Sequence, residues 1–169
     1  FNQANSAPNQ FYLYNSSSII DTLMIISPAI QNMSAGDKLV KFWAKSGSTF
    51  YDVPIMVGTM SSPNDPSTLH PLDTLVANAT YMEFTVYLDT ASGYNGTDQH
   101  VVIGHAGGTT FDALYVDDIA IEDIPACTPP WNIGASNITA SGASINWTTL
   151  QGTCFKLEYG PAGFIQGTG

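Results

Sequence analysis

The segment that most constrains the fold is FDALYVDDIAIED, residues Phe111–Asp123, which has the alternating pattern of a β-strand with one irregularity. Side chains of a strand point to the two faces of the sheet in turn. Apolar residues occupy even positions in the first half of the segment and odd positions in the second half, namely Leu114, Val116, Ile119 and Ile121. Uninterrupted alternation predicts that the isoleucines lie with Asp117 on the face opposite to that of Leu114 and Val116.

Two adjacent aspartates, Asp117 and Asp118, stand where the pattern changes, so one carboxylate is drawn towards the core. A carboxylate is rarely buried unless it is paired with a cation or bound to a metal. All four basic residues are lysines, so cationic side chains are scarce, and a hard cation such as Ca²⁺ is the alternative partner. We predict Asp117 as a Ca²⁺ ligand, with Asp118 as the second candidate. The alternative is a strand end at which both aspartates face solvent.

The composition excludes several classes of partner. A net charge of −10 repels the phosphate backbone of nucleic acids and the surface of anionic membranes. No apolar run is long enough for membrane insertion. The only two cysteines, Cys127 and Cys154, lack the spacing of a metal site, and with many Ser, Thr and Asn residues they suit an extracellular protein with one disulfide.

Short alternating segments separated by turn clusters predict an all-β protein, an antiparallel β-sandwich. The predicted strands are Phe11–Tyr14, Lys38–Lys45, Val53–Met60, Tyr81–Leu88 and His100–His105, followed by the aspartate segment. Residues Ile19–Ile26 are predicted to be extended and buried, and residues Ser61–Pro71 are predicted to form a loop. In the predicted strand Lys38–Lys45, alternation places Val40, Phe42 and Ala44 on the inward face.

Three prolines within Ile124–Pro130 mark a stiff boundary between a domain of residues 1–124 and a unit of residues 125–169. The second unit is predicted to contain three strands, at Asn132–Ser136, Ala143–Thr148 and Cys154–Tyr159. So short a unit needs a covalent cross-link to stabilise its core, and a disulfide between Cys127 and Cys154 would supply one.

Three aromatic residues are candidates for ligand binding. Trp43 lies between Lys41 and Lys45 on the outward face of its strand, where its ring can stack on a sugar or pair with a cation. The alternative is a tryptophan covered by a neighbouring loop. Tyr81 and Tyr87 lie on the outward face of another strand, and the three side chains form an aromatic platform if the two strands are neighbours.

The sequence contains no arrangement that indicates an enzyme. His100 and His105 are five residues apart in a strand, which points them to opposite faces. There is no G-x-S-x-G nucleophile motif and no phosphate-binding glycine loop. Asp117 and Asp118 point apart, so they do not form the acid pair of a glycosidase.

Three segments, Leu23–Ile30, Gly36–Ser46 and Leu114–Asp123, occur in the order and spacing of a known family. Over residues 5–124 the chain resembles the MAM-like jelly-roll modules called cleaved-adhesin or choice-of-anchor J domains. The C-terminal part of the chain, with CTPPWNIGASNITASGASINWT followed by CFKLEYGPAG, resembles the first strands of a fibronectin type III β-sandwich. This pairing is typical of surface proteins that Bacteroidota export by type IX secretion.

The resemblance implies a non-catalytic extracellular adhesion or glycan-binding module with a structural Ca²⁺. It implies Asp117 as a ligand and Asn5 and Asn9 as polar residues that complete the site; ordinary turn-forming asparagines are the alternative. The expected partners are a glycan or a host or cell-surface protein, together with neighbouring domains of the same polypeptide. The alternatives are an accessory module of a secreted protease or polysaccharide-degrading enzyme, and a structural spacer in a surface filament.

Three Asp-Thr-Leu or Asp-Thr-Ala triplets resemble the O-glycosylation motif of Bacteroidota. They make Thr22, Thr74 and Thr90 candidate glycan carriers, so the protein is expected to be a glycoprotein.

Overall fold

Ten β-strands and two short 3-10 helices make up the regular structure of the residues that this computed structural model describes. Those residues are 4–16, 23–107, 111–125, 130–149, 157–160, 163, 165 and 167. The chain divides into two compact units, Phe1–Ile124 and Pro125–Gly169. Among the described residues, no helix has the length and apolar character needed to cross a lipid bilayer.

The first unit contains two four-stranded sheets in which all paired strands are antiparallel. Its strands are β1 (Phe11–Asn15), β2 (Leu23–Ile26), β3 (Lys38–Ser46), β4 (Val53–Met60), β5 (Leu69–Ala77), β6 (Met82–Leu88), β7 (His100–His105) and β8 (Asp112–Asp123). The first sheet has the order β1-β8-β3-β6, and the second has the order β2-β7-β4-β5. The 3-10 helices are Met33–Ala35 and Pro66–Thr68.

The hydrophobic core draws buried side chains from both sheets. In β3, Val40, Phe42 and Ala44 are fully buried, as alternation predicts. The ring of Phe42 packs on that of Phe84 from β6, with centroids 5.5 Å apart. Because every second residue of β3 points inward, the residues between them, including Trp43, project from the outer face of the first sheet.

A β-bulge explains the irregularity in β8. Ala120 pairs with Lys41 and Asp117 pairs with Trp43, so two residues of β8 oppose Phe42 alone. Asp118, one of the two, has a positive φ of 50°. The extra residue shifts the alternation by one position, so that odd-numbered residues after the bulge face the same side as even-numbered residues before it.

The prediction that Ile119 and Ile121 lie opposite to Leu114 and Val116 is therefore wrong. Ile119 and Ile121 are partly buried and pack against the core cluster that contains Leu114 and Val116. Ile121 pairs with Val40, which is fully buried on the inner face. Asp117 instead lies on the outer face, opposite Trp43.

The second sheet contains a strand, β5, that the sequence did not predict. Its first residues, from Leu69 to Pro71, fall in the segment predicted to be a loop. A register shift between Val57 and Gly58 of β4 interrupts the pairing with β5, and Pro71 interrupts the pattern further. An irregular strand with a proline lacks the alternation on which the prediction depends.

The second unit shows one antiparallel hairpin of β9 (Trp131–Ser136) and β10 (Ser144–Thr148), close to two of the predicted strands. The third predicted strand is wrong over Leu157–Tyr159, which has no regular structure. The rest of that segment, including Cys154, lies outside the described residues, as does Cys127. The fibronectin-like assignment and the disulfide remain predictions.

Candidate functional site

The bulge of β8 brings its two aspartates against the N-terminal segment. The backbone N–H of Ser6 donates to Asp117 Oδ2 over 2.9 Å, and the Asp118 N–H donates to Asp117 Oδ1 over 2.9 Å. Asn5 Nδ2 donates to Asp118 Oδ2 over 2.9 Å, and the Ser6 hydroxyl donates to Asp118 Oδ1. The structure thus unites three of the four predicted Ca²⁺ ligands with Ser6, which was not predicted.

The two carboxylates of this acidic cluster, defined as Asn5, Ser6, Asp117 and Asp118, have different environments. Asp117 is only 6% exposed, whereas Asp118 is exposed. Hydrogen bonds from the Ser6 hydroxyl and then from the Asn5 amide lower the pKa of Asp118. No ion pair to Asp117 occurs within the described part of the chain, so backbone N–H groups alone donate to this buried carboxylate.

The oxygen atoms of the acidic cluster are suitable ligands for a hard cation. Ca²⁺ takes about six to eight oxygen ligands, from carboxylates, amides, carbonyls and water. Two carboxylates and a hydroxyl converge here, and a half-turn of the Asn5 amide presents its oxygen to the same place. No group of three or more His, Cys, Asp or Glu side chains that could hold a metal is found in the described residues, so Ca²⁺ would need amide, hydroxyl or carbonyl oxygens as well.

Asn9, the fourth predicted ligand, is placed differently. It is exposed and makes no hydrogen bond to either aspartate among the described residues. The structure therefore does not bring Asn9 into the acidic cluster.

A line of aromatic and cationic side chains crosses the outer face of the first sheet beside this cluster. Tyr12 of β1 pairs with Tyr115 of β8, and Tyr115 pairs with Lys45 of β3. Tyr81 directly precedes β6, and its ring centroid lies 5.1 Å from Lys45 Nζ. Lys45 Nζ is also 5.2 Å from the Tyr115 ring, and the Tyr115 and Tyr12 centroids are 5.0 Å apart. We call Tyr12, Tyr115, Lys45 and Tyr81 the tyrosine row.

The predicted aromatic residues are only partly united by the structure. β3 and β6 are neighbours, as an aromatic platform requires. Trp43 is half-buried, opposite Asp117 on one side and Glu83 on the other. Tyr81 belongs to the tyrosine row, but Tyr87 is six residues further along, opposite Leu39.

Sequence reasoning missed the tyrosines of β1 and β8. Tyr12 and Tyr14 alternate with Phe11 and Leu13, so an outward position could have been read from the pattern. Their proximity to Tyr115 could not, because about a hundred residues separate β1 from its partner strand.

Tyr81 links the tyrosine row to the acidic cluster. Its hydroxyl donates to Gln10 Oε1 over 3.1 Å. Burial first, and then the negative charge of Asp117, raise the pKa of Tyr81 to about 12, with smaller contributions from Tyr115 and Asp118. Tyr115 and Asp117 are two residues apart in β8, so both lie on the outer face of the first sheet. The tyrosine row and the acidic cluster are therefore neighbours on this face.

The predicted glycan carriers are placed as follows. Thr74 in β5 and Thr90 after β6 are both exposed. Thr22 lies outside the described residues.

No protein-family model matches the chain, and no curated protein matches it at a significant level. Solved structures do match. The K3 cleaved adhesin domain of Lys-gingipain from Porphyromonas gingivalis W83 is 20% identical, with a TM-score of 0.52 over 67% of this chain and 72% of that chain. The K1 cleaved adhesin domain of the same protein is 20% identical, with a TM-score of 0.49 over 68% and 73%.

A family 11 carbohydrate-binding module from Clostridium thermocellum, solved with a mixed-linked tetrasaccharide, is 8% identical, with a TM-score of 0.46 over 69% of this chain and 76% of that chain. Of these three structures, only the K3 domain is similar enough to support a conclusion, and at this identity the conclusion concerns the fold. The predicted jelly-roll β-sandwich, similar to an adhesin domain, is confirmed.

Proposed function

We propose that residues 1–124 form a non-catalytic, glycan-binding adhesion module of a larger secreted or cell-surface protein. The observation that carries this proposal is the tyrosine row on the outer face of the first sheet. The fold of these residues, which is similar to that of an adhesin domain, is compatible with such a role.

The chemistry of the tyrosine row suits binding rather than reaction. Aromatic rings offer flat apolar faces for the C–H faces of sugars, while tyrosine hydroxyls and a lysine ammonium form hydrogen bonds with sugar hydroxyls. Tyr12 is 54% exposed and Tyr14 beside it is 39% exposed. Two neighbouring, nearly parallel aromatic rings this exposed on one strand support the proposal of a binding surface, because they form a contiguous patch.

Calcium is the second part of the proposal. Asp117 and Asp118 would hold the ion, with the Asn5 amide and the Ser6 hydroxyl completing part of its shell. A bound ion would offset the burial of Asp117 and tie the N-terminal segment to β8, and its binding free energy would add to folding stability. At a Ca²⁺ concentration 100 times the dissociation constant, that gain is about 2.7 kcal/mol.

Glycan binding is tested with the whole chain on an array of chemically diverse glycans, in the presence of Ca²⁺. We expect saturable binding to at least one glycan. If the folded chain binds none of them, the proposed function is wrong.

The calcium site is tested by thermal melts of the whole chain in Ca²⁺ and in EDTA. We expect EDTA to lower the melting temperature of the wild type but not that of Asp117→Asn. Asp73→Asn, which changes an exposed aspartate of the second sheet, should keep the response of the wild type. Identical curves for the wild type in Ca²⁺ and EDTA would remove the metal from the proposal and leave glycan binding standing.

A further inference from the structure

We infer that the tyrosine row binds a neutral, extended oligosaccharide that lies across the strands of the first sheet. This inference rests on the proposed glycan-binding function, and it adds the location, the direction and the chemical class of the ligand.

The direction follows from strand pairing. The row takes one residue from β1, one from β8, one from β3 and one from the start of β6. Neighbouring strands are about 4.8 Å apart, so the row spans about 14 Å. A surface of that length contacts several linked sugar rings, whereas a single sugar would cover only part of it.

The end of the row at β1 offers the most open aromatic surface. The Tyr12 and Tyr14 rings are nearly parallel, with an interplanar angle of 10° and centroids 5.8 Å apart. Tyr115 continues this surface, with its ring inclined by 34° to that of Tyr12. Because Tyr12 is the most exposed of the three, it is the side chain whose burial by a ligand would contribute most.

The surrounding charges favour a neutral ligand over an acidic one. Asp117 lies two residues from Tyr115 on the same outer face, and exposed Glu83 lies two residues from Tyr81. Two of the three lysines of β3 are paired with carboxylates: Lys38 with Asp37 and Asp123, and Lys41 with Glu122.

The third, Lys45, contributes one positive charge to the row, between the rings of Tyr81 and Tyr115. Ca²⁺ bound as proposed would balance Asp117 and Asp118, but exposed Glu83 would still offset the single charge of Lys45, so a polyanion would meet no net positive charge here. A neutral polyhydroxylated chain needs no such charge, and the aromatic rings of the row offer flat apolar surfaces to its sugar rings.

The test is affinity electrophoresis of the whole chain in gels that contain neutral polysaccharides or acidic ones. The neutral set is hydroxyethylcellulose, β-1,3-glucan, xylan, mannan and galactan. The acidic set is carboxymethylcellulose, polygalacturonate and alginate, of which the first has the same backbone as hydroxyethylcellulose. We expect retardation by at least one neutral polysaccharide and weaker or no retardation by the acidic set.

Variants then locate the site. We expect Tyr12→Ala and Tyr115→Ala each to weaken binding roughly tenfold, which is the size expected for the loss of one well-packed aromatic contact. Tyr87→Ala is the matched control, because it removes a tyrosine of the same sheet that lies outside the row, and it should bind like the wild type. Melting curves establish that each variant is folded; Tyr12 is exposed on an edge strand, so its replacement should leave the fold intact.

Each contrary outcome overturns a distinct statement. Glycan binding that survives both row substitutions, or that Tyr87→Ala weakens as much as Tyr12→Ala, overturns the location but leaves the proposed function in place. Acidic polysaccharides bound as tightly as neutral ones overturn the ligand class alone. A wild-type chain that no polysaccharide in either set retards, and that binds nothing on the glycan array, overturns both the inference and the proposed function.

Discussion

Replacing His105 with leucine should stabilise the protein, although the residue lies at the end of a central strand of the second sheet. His105 is fully buried in β7, and among the described residues neither of its ring nitrogens has a hydrogen-bond partner. Whichever nitrogen carries the proton, one donor and one acceptor are then buried without compensation. Leucine removes both polar atoms and keeps an apolar side chain in the same space.

The size of the effect follows from the cost of an unpaired polar group. A buried donor or acceptor without a partner costs about 1–3 kcal/mol. We therefore expect His105→Leu to raise the free energy of unfolding by about 1–3 kcal/mol, allowing for the imperfect fit of the new side chain. For a domain of this size, each kcal/mol corresponds to a rise in melting temperature of about 4 °C.

His100 provides the matched control, because it is a buried histidine of the same strand that does have a partner. Its Nδ1 lies 2.8 Å from the carbonyl oxygen of Ser27. We expect His100→Leu to lower the melting temperature, because it leaves that carbonyl unpaired. Thermal melts of the wild type and both variants at pH 7.5 measure the difference. If His105→Leu lowers the melting temperature, its ring nitrogens do have partners in solution and the reasoning is wrong.

The pH dependence gives an independent check. Burial lowers the pKa of His105, and the nearby Asp112 raises it by a smaller amount. The unfolded chain, with a histidine pKa of about 6.5, then takes up its proton at a higher pH than the folded chain does. The pH-dependent loss of stability that His105 causes is therefore absent above about pH 6.5. It develops as the pH falls from there through the lowered pKa of the folded state. His105→Leu should lose less stability than the wild type between pH 7 and 5.

Three further predictions concern the two sheets. Gly58→Ala should lower stability by about 1–3 kcal/mol in urea unfolding, because a Cβ there would lie 2.6 Å from the carbonyl oxygen of His70; an unchanged midpoint would contradict this packing. Tyr81→Phe should reduce the loss of stability between pH 10 and 12 by up to about 1–2 kcal/mol. The reason is that the raised pKa of Tyr81, about 12, keeps the folded state protonated where the unfolded state ionises. Parallel curves of unfolding free energy against pH for the two proteins would refute this prediction. Ile121→Asn should destabilise the chain by about 2–4 kcal/mol in urea unfolding and Ala120→Asn by less than about 1 kcal/mol, because only Ile121 packs on the core; the reverse order would place the bulge elsewhere.

Local sequence pattern was sufficient wherever a strand is regular. The alternation of β3 predicted that Phe42 is buried and that Trp43 is not on the core face, because the period of two is a property of the strand itself. The two aspartates of β8 were recognisable as an irregularity for the same reason. The face on which the residues after them lie was not predictable, because a bulge is defined by the partner strand. The extra residue of β8 is visible only opposite Phe42.

By itself, then, the sequence determined the all-β class, the inward faces of the regular strands and the position of Asp117 and Asp118 at a break. The tertiary structure alone decided which outward residues meet. Tyr12, Lys45, Tyr81 and Tyr115 form one row because β1, β8, β3 and β6 are neighbours in that order, and the chain order of these strands is different. Sheet order depends on pairing between distant strands that bury a shared core, which a local pattern does not encode.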